Sequence, residues 1–121
     1  VLLIDAANVI GSRPNGWWRD RPGAARAFVD RVRAALTDGR LVGQTVVVVE
    51  GASRAGVDES ASDGLTVLHA QGSGDDLLVA VAGETAGQVT LVSADRELRQ
   101  RVESLGAEVV GPGWLIDRIG E

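Results

Sequence analysis

The chain has 121 residues, 45% hydrophobic and 24% charged, which fits one soluble globular domain over residues 1–121 with a core of useful size. It has no Cys and a single His, His69, so disulfides and thiolate metal sites are excluded, Ser-His or Cys-His nucleophiles are disfavoured, and oxygen-ligated metals such as Mg²⁺ or Mn²⁺ remain. The net charge is −5 and all 12 bases are Arg, which rules out mechanisms that need a lysine and argues weakly against nucleic-acid binding through net charge alone.

Val1 to Ile4 form an unbroken apolar run that meets Asp5, with Asn8 three positions on. Such a run predicts a strand buried on both faces, as in a parallel sheet. Residues 11–23, GSRPNGWWRDRPG, read as a loop, with Pro22 suited to the first turn of the next helix. Ala25, Phe28, Val29, Val32 and Leu36 then fall three and four apart, predicting a helix from Ala24 to about Thr37 that ends near Asp38-Gly39.

Thr45–Val49 is a second strand, ending in Glu50. Residues 51–64 lack apolar periodicity and read as a mobile polar loop with room for one short helix. Leu65–His69 is a third strand, and Ser73 is placed to cap a helix beginning near Asp75. A fourth strand, Val89–Val92, leads into Ser93-Ala94-Asp95; the following helix carries Leu98, Val102 and Leu105 on one face and closes at Gly106. Glu108–Val110 gives a fifth strand, and a last short helix sets Trp114, Leu115 and Ile119 against the sheet. This alternation predicts a three-layer α/β/α domain around a central, mostly parallel five-stranded sheet.

Right-handed crossovers bring every strand-to-helix loop to one edge of such a sheet. Asp5 and Asn8, Glu50, Asp75 and Asp76, and Ser93 with Asp95 all lie in those loops. Gathered carboxylates repel one another unless a cation shares the site, and a hard divalent ion meets that need while activating water for attack on a phosphodiester. Beside them, Trp17 and Trp18 stand among Arg13, Arg19 and Arg21, a pattern suited to stacking bases and holding phosphates, with one Trp expected to be structural.

DAANVI, VVVVEG, GSGDDLL and VTLVSADREL, in that order, resemble the NYN nucleases, PIN-like domains of bacterial RNA metabolism. The resemblance runs from Val1 to about Ile119. It implies a metal-dependent ribonuclease with Asp5, Asp75 and Asp95 as principal ligands of Mg²⁺ or Mn²⁺, and with Asn8 and Ser93 orienting ligands or water. Glu50 and Asp76 are supporting acids, and Arg13, Trp17, Arg19, Arg21 and Arg96 are the candidate contacts to RNA. The chain departs from the pattern at Glu50, where relatives often carry Asp after an extra apolar residue, and at Gly74, where they often carry Ala.

Blander roles stand beside these. Asn8 suits a turn, Asp76 the helix dipole, and Asp95 a helix cap that does not preclude ligation. His69 has no second His near it in sequence and is expected to be structural or exposed. Dehalogenase-type phosphotransferases and receiver domains need a lysine that is missing, and no glycine-rich nucleotide motif is present. A non-catalytic RNA-binding module with the same fold is the competing reading.

No apolar run approaches a membrane span and no signal peptide is visible, so no membrane partner is expected. The chain lacks Met and begins inside a predicted strand, so residue 1 is not expected to be the native start; a cytoplasmic location is the default expectation. Which RNA is bound, and whether the chain forms a homodimer, are left open.

Overall fold

In the computed structural model, which describes residues 1–120, the first strand, β1 (Leu2–Asp5), has apolar cores on both sides. Leu2 and Ile4 enter one core and Leu3 the other, so the sheet has no wet face along this strand. Helices α1 (Ala6–Gly11), α2 (Arg21–Thr37) and α5 (Pro112–Ile119) cover the first core; α3 (Gly74–Glu84) and α4 (Arg96–Glu103) cover the second. The result is a three-layer α/β/α fold.

The other strands are β2 (Thr45–Val49), β3 (Ser60–Ser62), β4 (Leu65–His69), β5 (Thr90–Val92) and β6 (Glu108–Val110). They line up in the order β3-β4-β2-β1-β5-β6, all parallel except β3, which runs antiparallel to β4. From β1 the chain steps outward through β2 to β4, then crosses back to β5 and β6 on the other side. The strand order therefore reverses between β1 and β5. Ligands of open α/β sheets bind at such a switch point, outside the carboxyl ends of the strands.

The sheet has six strands where five were predicted. The sixth comes from residues 51–64, which form a 3₁₀ helix (Gly51–Gly56) and then β3 rather than a mobile loop. Asp63 and Gly64 both have positive φ, 54° and 81°, and make a two-residue hairpin turn between β3 and β4. Asp-Gly is the strongest short-range hairpin signal, and here it outweighs the polar composition of Ser60–Ser62.

The predicted loop at 11–23 is shorter than expected. Asp5 accepts from the Asn8 backbone N–H at 3.3 Å and so caps α1, a helix that the apolar run of the first strand concealed. Asp20 caps α2 through the Gly23 N–H at 2.9 Å, starting that helix at Arg21 rather than Ala24. Leu105 also departs from expectation. The chain leaves α4 at Glu103, and Leu105 is 52% exposed while Leu98 and Val102 are fully buried. Among the described residues, no helix is long and apolar enough to cross a membrane.

The 3₁₀ segment docks on α2 so closely that a Cβ at Gly56 would overlap the Pro22 carbonyl. Backbone cannot step aside cheaply, so Gly56→Ala is expected to cost about 1–3 kcal/mol, read as a lowered urea midpoint with unchanged m-value.

Candidate active site

The carboxyl ends of β1, β2, β4 and β5 bring the acids to one edge, and the switch point supplies its best-defined part. Asp5, the last residue of β1, is only 6% exposed. Its Oδ2 accepts from the Ser93 hydroxyl at 3.0 Å, across the gap between β1 and β5. Ser93 is fully buried, and its Oγ also accepts from the Asp95 N–H at 3.1 Å. Asn8 makes a second tie across the same gap, its Oδ1 accepting from the Ala94 N–H at 2.8 Å. Its side chain thus neither closes a local turn nor is left to solvent; it fastens α1 to the loop after β5.

Asp95 caps α4, with Oδ1 accepting from the Leu98 N–H at 2.9 Å. Glu50 follows β2 and reaches the start of α3, its Oε2 accepting from the Gly74 N–H at 2.8 Å. A Cβ at Gly74 would make only ordinary contact with the Glu50 carboxylate, at 3.6 Å, so the Ala that relatives often carry would also fit here. Ser73 caps the same helix through the Asp75 N–H at 3.2 Å. Asp75 is half-buried next to this junction, whereas Asp76 is exposed and paired with Arg101 at 3.0 Å.

These acids share an electric field. Burial pushes the Asp5 carboxyl up to about 6; the Ser93 and Asn8 hydrogen bonds oppose this, and the charges of Asp75 and Glu50 add to it. Asp75 is raised as well, first by partial burial and then by Asp95 and Glu50, with Arg101 pulling the other way. Nonetheless, among the described residues no three His, Asp or Glu side chains converge as a ready ligand cluster. The donor set is all hard oxygen, which suits an ion held by one or two carboxylates with waters and substrate phosphate, as Mg²⁺ commonly is.

A cleft of about 450 Å³ opens beside Glu50, lined also by Trp17, Arg21, Arg54 and Ser73. Trp17 and Arg21, both expected to meet substrate, lie together there, with the Arg21 guanidinium 4.9 Å from the Trp17 ring centre. Arg54 was not anticipated. It lies alone in a polar stretch, and only folding brings its Nη1 to the Ala70 carbonyl at 3.3 Å. Trp18 is 48% exposed with Arg19 stacked 5.8 Å from its ring centre, so Trp17 is the more structural of the pair. Arg13 lines a neighbouring hollow, not the cleft, and Arg96 is exposed in the first turn of α4. His69 has Nε2 2.7 Å from the Val57 carbonyl oxygen, a structural contact.

Fold and edge together define a three-layer α/β/α domain with acidic side chains at the carboxyl ends of its parallel strands. Among solved structures, the crystal structure of a mutant of Rae1 (YacP) from Bacillus subtilis is similar, with a TM-score of 0.69 over 98% of this chain and 72% of that one. Sequence identity is 17%, so the likeness is one of fold. No family model matches the chain, and no curated protein does.

A carboxyl raised from 3.8 to about 6 binds a proton in the folded chain that the unfolded chain has released. Stability is therefore expected to fall as pH rises from about 4 to about 6, by up to roughly 3 kcal/mol from Asp5, with Asp75 adding in the same direction. Thermal unfolding of wild type and Asp5→Asn in chelator should converge at acid pH and diverge near neutrality, the variant being relatively more stable there. Ser93→Ala removes a bond that favours the ionised form, so the Asp5 carboxyl should titrate higher still, as read by carboxyl-carbon NMR.

Proposed function

We propose that this protein is a metal-dependent nuclease acting on RNA, with its centre at the β1/β5 switch point. The observation that carries this reading is the buried Asp5, held by Ser93 and Asn8 within the field of Asp75 and Glu50. Keeping a carboxylate at such a place is unfavourable without a counter-charge, and a divalent cation provides one. Asp5, Asp75 and Asp95 would hold it, with Glu50 anchoring the α3 terminus that carries Asp75. A bound Mg²⁺ or Mn²⁺ neutralises phosphate charge and lowers the pKa of water for attack on phosphorus.

The chain's own residues do the positioning. Ser93 fixes the Asp5 carboxylate and, through the Asp95 N–H, the start of α4. Asn8 ties α1 to the loop after β5. In the adjoining cleft, Trp17 offers a stacking face and Arg21 a phosphate contact.

The second reading, an RNA-binding module without turnover, draws support from the lack of a ready three-acid cluster among the described residues. Labelled RNA incubated with Mn²⁺ separates the two. Wild type is expected to cut, and Asp5→Asn and Asp95→Asn to lose at least roughly ten- to a hundredfold in rate, the scale of a lost support to a metal ligand. No cutting by wild type, or equal cutting by both variants, sinks the nuclease reading.

A further inference from the structure

Behind Trp17 lies a second hollow, of about 270 Å³, between α1, α2 and α5. Val9, Phe28 and Ile119 form its apolar floor, all three buried in the core. Trp17 and Ile10 line both this hollow and the cleft beside Glu50, so the two spaces share one wall. Arg13, Asn15, Asp20 and Arg31 supply polar groups, with Asp20 already engaged in capping α2 through the Gly23 N–H, and the Arg31 Nε is buried with no hydrogen-bond partner among the described residues. A desolvated donor without an acceptor is an uncommon and costly feature in a folded chain.

Charge points to the occupant. Residues 13–33 hold six of the 12 arginines and only two acids, Asp20 and Asp30, in a chain whose net charge is −5. The hollow therefore opens on a basic stretch of an acidic protein, where a polyanion is favoured. An apolar floor with an aromatic wall and amide and guanidinium groups at its margin suits a flat heterocycle that carries hydrogen-bonding edges.

We propose that this hollow is a nucleobase pocket: it takes one unpaired base of an RNA strand whose neighbouring phosphodiester lies in the cleft on the other side of Trp17. The base packs over Phe28 and Ile119, and its edge groups meet Asn15 and Arg31. Only an unstacked, unpaired base can enter a concave site of this kind, so the pocket selects single-stranded positions. The proposal rests on the RNA reading above and adds to it a base-selecting subsite apart from the acids.

The test is binding without cleavage. Fluorescence polarisation in EDTA compares a short fluorescent RNA with a strand of equal length and charge that is abasic at every position. Wild type is expected to bind the RNA about tenfold more tightly, the scale of one stacked base. Ala27 lines the hollow from an exposed position on α2, so Ala27→Phe fills the space without entering the core. That variant should lose most of the difference while holding the abasic strand as wild type does. Arg31→Gln provides a second variant, expected to weaken RNA more than abasic strand, and thermal melts confirm that both fold.

Equal binding of RNA and abasic strand by wild type overturns the pocket, as does an unchanged preference in a folded Ala27→Phe protein. Since no turnover is read, a chain that fails to cut RNA but shows these differences retains the pocket and loses only the nuclease. Cutting with no base preference has the opposite meaning.

Discussion

The hydrogen bond from Ser93 to Asp5 joins two strands that are adjacent in space and 88 positions apart in sequence. It sits where strand order reverses, the place at which an open α/β sheet parts its covering helices and leaves a crevice. A carboxylate buried there has lost most of its hydration. Without the Ser93 hydroxyl and the Asn8 N–H, its charged form would have little to replace that water. The same Ser93 oxygen accepts from Asp95, so one buried hydroxyl orients two acids at once.

Around this bond the local structures support one another. Asp5 caps α1, Ser73 caps α3 and Asp95 caps α4, so three of the groups at the edge also satisfy backbone donors that helix ends leave open. Capping and chemistry are compatible because a carboxylate has more acceptor capacity than one N–H consumes. Glu50 extends the pattern from outside the helix, accepting from Gly74 at the start of α3. The acids are thereby spaced by helix geometry. They repel across the edge without collapsing onto one point, which suits a cation that retains waters and recruits phosphate.

The charge distribution resolves an apparent conflict. A net charge of −5 speaks against a nucleic-acid partner only if charge is evenly spread. Here half of the arginines lie between residues 13 and 33, where Trp17 separates the acid-side cleft from the hollow over Phe28. Only the short α1 separates Asp5 at the acidic edge from the basic flank, and the 3₁₀ turn at Trp17–Arg19 folds Trp17 back against the Gly11 end of that helix.

Much of this was legible in the residues themselves. The double-sided burial of β1, the α2 face built on Phe28, Val29 and Val32, the Ser73 cap and the acids at strand ends follow from local pattern, because periodicity and capping depend on near neighbours. The Asp63-Gly64 hairpin was also encoded locally, although the polar strand beside it hid the signal. What tertiary structure alone decided is where partners from distant segments meet. Asn8 bonds to Ala94, Asp76 turns to Arg101, Arg54 joins the cleft, and Arg13 lines the neighbouring hollow instead. No spacing rule reaches across 86 residues from Asn8 to Ala94; that contact exists because β1 and β5 lie side by side in the sheet.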